Sequence, residues 1–141
     1  MHSFFPIFAY HLQNQTQEPV RIGILKSLAD ADLADGLCIV AYRNEETQSI
    51  RDQGYASQYR LKIEFSYSVA VISNTSEAAC NEQVTSLLAV LTPGVDIAVT
   101  YDGTAYSMYF SDIKDTIEFK QEINSWVETL VFTGYTFLKE I

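Results

Sequence analysis

Two histidines, two cysteines and a scatter of acids are the side chains that could do chemistry in this chain, and their spacing argues against most of it. His2 and His11 both lie close to the N-terminus. A nucleophilic serine or cysteine needs such a base within hydrogen-bond reach, itself oriented by a third group. A terminal helix is a poor platform for that arrangement, so both histidines are expected to be exposed or to pack. No G-x-S-x-G elbow, phosphate-binding glycine loop or dinucleotide fingerprint occurs. The six glycines are spread as punctuation, which leaves no cradle of backbone N–H groups for a phosphate.

The run Asp30, Asp32, Asp35, Gly36 has the look of a calcium loop. An EF-hand needs an oxygen ligand at its fifth position, glycine at its sixth and glutamate at its twelfth. Counted from Asp30, those positions hold Ala34, Asp35 and Ala41, so a solvated acidic turn is expected instead. Cys38 and Cys80 cannot build a zinc site without histidines nearby. They read as small buried hydrophobes in a reducing compartment. Carboxylate pairs for glycoside chemistry stay open, because 18 acids offer many spatial pairs. Tyr101, Tyr106, Tyr109 and Tyr135 could form an aromatic platform for bases or sugars. Packing at the sheet rim or in an interface is the commoner fate of strand tyrosines. No catalytic residue, metal or cofactor is expected, and the chain is expected not to be an enzyme.

Composition bounds the remaining options. The 141 residues fit a single domain, 1–141, with a real core, and 48% of them are hydrophobic. Charged residues make up only 19% and tyrosine occurs nine times, a balance that suits burial against copies of the chain or partners. The net charge is −9, and the nine Lys and Arg residues are never adjacent. Gripping nucleic acid requires clustered basic residues to replace condensed counterions. An acidic wall past which DNA slides without sticking remains compatible with the charge. No apolar run reaches the roughly 18 residues that a spanning helix needs, so no membrane association is expected. The N-terminus lacks the basic and apolar regions of a signal peptide, and a cytoplasmic site of synthesis and assembly is expected.

The elements follow from periodicity. Phe5, Phe8 and Leu12 repeat at helical spacing, with Ser3 as a possible cap and Pro6 in the first turn. Val20, Ile22 and Ile24 alternate as a short strand. An acidic connection, 27–36, precedes the apolar strand LCIVAY at 37–42, and the polar stretch 43–57 is expected to be a long exposed loop. The clearest element is a strand over 59–72, with Tyr59, Leu61, Ile63, Phe65, Tyr67, Val69 and Val71 at every second position. Its other face runs from Arg60, Lys62 and Glu64 into Ser66, Ser68 and Ala70, losing charge along its length. That uncharged half suits packing against another layer or subunit.

Asn74 with Glu77 is expected to cap a second helix whose stripe is Cys80, Val84, Leu87, Leu88 and Leu91, ended by Pro93-Gly94. Ile97, Val99 and Tyr101 alternate, Asp102-Gly103 marks a tight hairpin, and 104–110 returns beside them. After a polar connection, 126–138 forms a long closing strand. The order α-β-β-β-α-β-β-β implies an α+β domain: a mainly antiparallel β-sheet with helices packed on one face.

This ordered pattern resembles the tail terminator proteins of long, non-contractile-tailed, lambda-like bacteriophages. The resemblance rests on the N-terminal helix, LCIVAYR, the polar loop, YRLKIEFSYSVAVIS, the helix SEAACNEQVTSLLAVL and the closing SWVETLVFTGYTFLKEI. It implies a virion protein, assembled in the host bacterial cytoplasm, that forms a homo-oligomeric ring, expected to be a hexamer. Such a ring caps the head-proximal end of the tail tube, stops tube polymerisation and docks the head–tail connector protein. DNA would pass through its lumen without specific binding. A ring requires a rigid sheet and a head-to-tail interface that closes. The candidate contact surface is the polar loop, with Gln48, Arg51, Asp52, Gln53 and Tyr55 as interface residues and Arg51 and Tyr55 as anchors. A merely solvated loop is the alternative. Two other classes stay open: another head–tail connector or tail tube component, and a small-molecule-binding or enzymatic α+β domain with a polar-lined pocket.

Overall fold

Among the described residues, six strands hydrogen-bond side by side in the order β1-β2-β3-β6-β5-β4 to form one sheet. The computed structural model describes residues 3–23, 36–52 and 59–139. In chain order the elements are α1 (Phe5–Asn14), β1 (Val20–Ile22), β2 (Leu37–Asp52), β3 (Tyr59–Ser73), α2 (Glu77–Val90), β4 (Asp96–Tyr101), β5 (Thr104–Lys120) and β6 (Ser125–Lys139). The domain is α+β. The sheet, however, is mixed and not antiparallel throughout: β1 runs parallel to β2, with Val20 opposite Ile39 and Ile22 opposite Ala41. A parallel neighbour needs a crossover of a dozen or more residues, and the chain between Ile22 and Leu37 supplies that length.

The period-two strand is β3, the central ladder of the sheet, paired with β2 on one side and β6 on the other. Its odd-numbered side chains Ile63, Phe65, Tyr67, Val69 and Val71 are buried in a core shared with Phe4, Phe8 and Leu12 of α1 and with Cys80, Val84 and Leu87 of α2. Both helices therefore cover the same face. An aromatic layer lies between α1 and the sheet: Phe65 stacks on Tyr67 at 4.4 Å, and Phe8 meets Tyr67 at 4.8 Å and Phe132 at 5.7 Å. Such contacts add to area burial through their ring geometry. The two cysteines are buried and are not joined in a disulfide.

The stretch expected to be a loop is largely strand. β2 continues through residue 52, with Thr47 opposite Glu64 and Asp52 opposite Tyr59. A β-bulge between Arg43 and Glu45 shifts the register, and one extra residue reverses which parity faces the core. The same happens in β5, expected to end near Phe110. A bulge between Phe110 and Asp112 moves the core-facing positions from Met108 and Phe110 to Ile113 and Ile117, and the strand runs on to Lys120. Gly134 lies opposite Phe110 at this bulge, where an added Cβ would overlap the Tyr109 carbonyl oxygen. The Asp102-Gly103 hairpin has positive φ at both positions, 50° and 80°, as a type I′ turn requires.

The helix caps also differ from expectation. Ser76, not Asn74, caps α2 by accepting a hydrogen bond from the Ala79 N–H at 3.1 Å. Asn74 is held further out, its N–H bonded to the Gly36 carbonyl. At α1, Ser3 Oγ accepts from the Phe5 N–H at 3.1 Å, but the main cap comes from β2. Glu46 Oε2 accepts from the N–H groups of Phe4 (3.2 Å) and Phe5 (3.0 Å), from the Ser3 hydroxyl (3.0 Å) and from the Tyr67 hydroxyl. The Glu46 side chain is only 6% exposed, and the Arg43 guanidinium stands 3.8 Å from its other oxygen. A carboxylate at a helix N-terminus satisfies orphan N–H groups and complements the helix dipole.

Glu46→Ala would take the acceptor from the Phe4 N–H and the Tyr67 hydroxyl and is expected to lower unfolding stability by about 3 kcal/mol, with Glu46→Gln losing less because its carbonyl still accepts. Urea unfolding measures both. Parent-like stability of the alanine variant would show that other contacts hold α1.

Candidate interface

On the helix-free face, the register brings β3 residues 62, 64, 66, 68, 70 and 72 beside even-numbered β2 residues before the bulge and odd-numbered ones after it. The uncharged half of that row is already buried within the chain. Ala70 and Ile72 pack with Cys38, Val40 and Val127, with Tyr42 and Ile123 at the margin. The Asn44 amide, exposed at the bulge, donates to Ser68 Oγ at 2.7 Å and to Ser66 Oγ at 3.2 Å. The small residues therefore find their second layer in neighbouring strands of the same subunit.

The charged half carries an aromatic patch. Tyr109 stacks on Tyr135 at 5.1 Å, and Phe137, 37% exposed, meets Tyr135 edge-on at 5.6 Å. Lys62 places its ammonium 5.0 Å from the Tyr135 ring and 5.9 Å from Phe137, and pairs with Glu64 at 3.2 Å. Of the four tyrosines considered as a platform, only Tyr109 and Tyr135 come together. Tyr101 packs on Tyr10 and Tyr106 on Phe4, on the helix side. The contact of Lys62 with the rings escaped the sequence reading because it reaches across strands, where no chain spacing records it.

Of the candidate contact residues, Gln48 lies opposite Ile63, Arg51 opposite Arg60 and Asp52 opposite Tyr59, all on the outer half of β2. Gln53 and Tyr55 fall outside the described residues, as do His2 and the run Asp30, Asp32, Asp35. Gln48, Arg51 and Asp52 lie on a strand and not in a loop, beyond the stretch of β2 that pairs with β1, which ends at Ala41. β5 has an open segment beyond β4. β4 stops opposite Tyr109, and 112–120 has no outer neighbour among the described residues.

Other features offer less. A shallow groove of about 320 Å³ between α2 and the start of β2 is lined by Leu37, Thr75, Ala79, Glu82, Gln83 and Ser86. Its one charged lining group is Glu82, without a base or nucleophile pair converging on it. Among the described residues no three His, Cys, Asp or Glu side chains are grouped as metal ligands, and no helix is long and apolar enough to cross a membrane. His11 is buried with its Nε2 unpartnered, and burial lowers its pKa.

One titratable group that the sequence reading missed sits under α2. Glu128 is 4% exposed on the helix-covered side of β6, opposite Val71. Its signal was an acid at an inward position of WVETLVF, between Trp126 and Leu130. Burial, reinforced by the nearby Asp115 carboxyl and by Glu77, raises its pKa from 4.5 to about 7. Burial also raises the Cys80 thiol to about 11, so it stays protonated at neutral pH.

No family model and no curated protein matches the chain. A solved protein structure is similar over 98% of this chain and 92% of that one, with a TM-score of 0.52 and 19% identity. At that identity the likeness is one of fold.

The Glu128 shift fixes a sign. The native state keeps a proton that the unfolded chain has released, so this group weakens stability as pH rises from about 4.5 through 7. Glu128→Gln is expected to stabilise the protein by about 2 kcal/mol at pH 8 and by little at pH 5. Thermal unfolding at the two pH values checks it, and an equal effect at both would contradict the shift.

Proposed function

We propose that the chain is a structural subunit that closes into a homo-oligomeric ring, a hexamer, on the head-proximal end of a phage tail tube. There it stops tube polymerisation and presents a docking surface for the head–tail connector, while DNA passes through without specific binding. The reading rests on the resemblance in element pattern to lambda-like tail terminators and on one structural observation. The outer half of β2, where an exposed loop was expected, is a regular ladder against β3 as far as Asp52, which supplies the rigid sheet that a closing ring requires. The low charge content and the exposed Phe137 patch add area of the kind that subunit interfaces use. In this reading the acidic balance of the chain keeps the lumen from holding DNA.

Light scattering on a size-exclusion column tests the reading, alone and with purified tail tubes. The expected result is a six-subunit mass, free or formed on the tube, and tubes that no longer elongate. A monomer at high concentration that forms nothing larger with tubes would overturn it.

A further inference from the structure

On the helix-covered side, α2 lies over β3 and β6. The next strand outward, β5, turns Ile113, Asp115, Ile117 and Phe119 to that side past its bulge, with Trp126 of β6 opposite Phe119. Ile113, Ile117 and Trp126 are half-buried against the core. Phe119 is 43% exposed and meets Trp126 edge-on at 5.3 Å. An apolar ledge thus runs along β5.

The polar centre of this ledge lacks a counter-charge. Glu128, opposite Ile117, is buried, and its Oε1 has no hydrogen-bond partner. The charged groups that act on it are Asp115 of β5, which engages its carboxyl and is itself exposed, and Glu77 of α2. Both are acids. Cys80 of α2, the remaining titratable neighbour, stays a thiol. A buried carboxyl costs free energy unless a cation or a donor meets it, and the elements packed against Glu128 bring no cation.

We propose that this ledge receives a helical segment of a partner protein that sets a lysine or arginine among apolar side chains. The base supplies the counter-charge of the Glu128–Asp115 pair, approaching past the exposed Asp115 carboxyl. The apolar side chains cover Ile117, Phe119 and Trp126. A helix laid there continues the helix layer over β5, as an amphipathic helix does in an apolar groove. The rings favour the base as well, because a desolvated cation gains from an aromatic face. Charge selects a partner over a second copy. The chain has 18 acids against nine bases, and Arg43, Lys62 and Lys120 are already paired with Glu46, Glu64 and Glu118. The ledge lies on the face opposite the Tyr109–Tyr135–Phe137 patch, and its occupation is independent of the ring reading.

Trp126 is the only tryptophan in the chain, so its emission reports directly on cover of the ledge. The probe is a synthetic amphipathic helix without aromatic residues that carries one arginine at the centre of its apolar face. An isomer with that arginine on the polar face has the same net charge. The first peptide is expected to shift Trp126 emission at pH 8 and to bind about tenfold tighter than the isomer. The bound arginine holds Glu128 ionised, whereas the free protein protonates it with a pKa of about 7, so binding is expected to weaken about tenfold from pH 8 to pH 6. Glu128→Gln should lose both the preference and the pH dependence. Equal binding of the two peptides, binding of neither, a preference that survives Glu128→Gln, or binding unchanged at pH 6 would each overturn the proposal. A Trp126 shift that grows with protein concentration alone would overturn the partner in favour of a second copy.

Discussion

The buried Glu46 carboxylate is the interaction on which much of this structure depends. It joins three elements at one oxygen: the first N–H groups of α1, the position of Glu46 on β2 and the Tyr67 hydroxyl of β3. Without it the Phe4 N–H would lose its acceptor inside a desolvated site, since Phe4 at the N-cap has no polar side chain and Ser3 serves only the Phe5 N–H. α1 in turn delivers Phe4 and Phe8 to the aromatic layer around Phe65 and Tyr67. Burial and the bond to Glu46 raise the Tyr67 pKa, so its hydroxyl is a permanent donor. For Glu46 to reach α1, β2 has to remain extended past residue 43 and present position 46 to the helix side. The outer half of β2 is thus a consequence of how the first helix is held.

That coupling also explains what could be read in advance. β3 was legible because it is central: both neighbours are strands, one face is core, and the alternation of Leu61 through Val71 has no interruption. The type I′ hairpin was legible because Asp-Gly is a local solution to a local dihedral problem. β2 and β5 were legible only up to their bulges. Beyond Arg43 the parity flips, and the inward position 46 is an acid whose partners are 42 residues and 21 residues away in sequence. Beyond Phe110 the same flip turns Ile113 and Ile117 inward, while Asp112, Lys114 and Glu118 give the segment the composition of a loop. The parallel placement of β1 had no sequence signal, because three residues carry no information about direction.

The two faces do different work. The helix-covered face carries the apolar core together with one poorly tolerated group, Glu128, whose raised pKa measures the cost of keeping a carboxyl beneath α2. The open face closes part of its own apolar area through Val40, Ala70, Ile72 and Val127. What remains outward is the Tyr109–Tyr135–Phe137 patch with Lys62 over it, a surface of rigid rings that loses little side-chain entropy on contact. The candidate contact residues named from sequence, Gln48, Arg51 and Asp52, belong to neither face as a set; their shared property is the outer half of β2, paired with the start of β3.

A long strand must not attract every other strand it meets. Charge is the usual deterrent, and both bulged strands carry it: Arg43 and Glu45 on β2, Asp112, Lys114, Glu118 and Lys120 on β5. Bulges twist an edge away from flat pairing, but here each bulge sits at the inner end of its segment and leaves the remainder a regular ladder. Both strands run on as regular ladders past their bulges, and β2 has a specific reason to do so in Glu46, whose bonds to α1 and Tyr67 keep it extended.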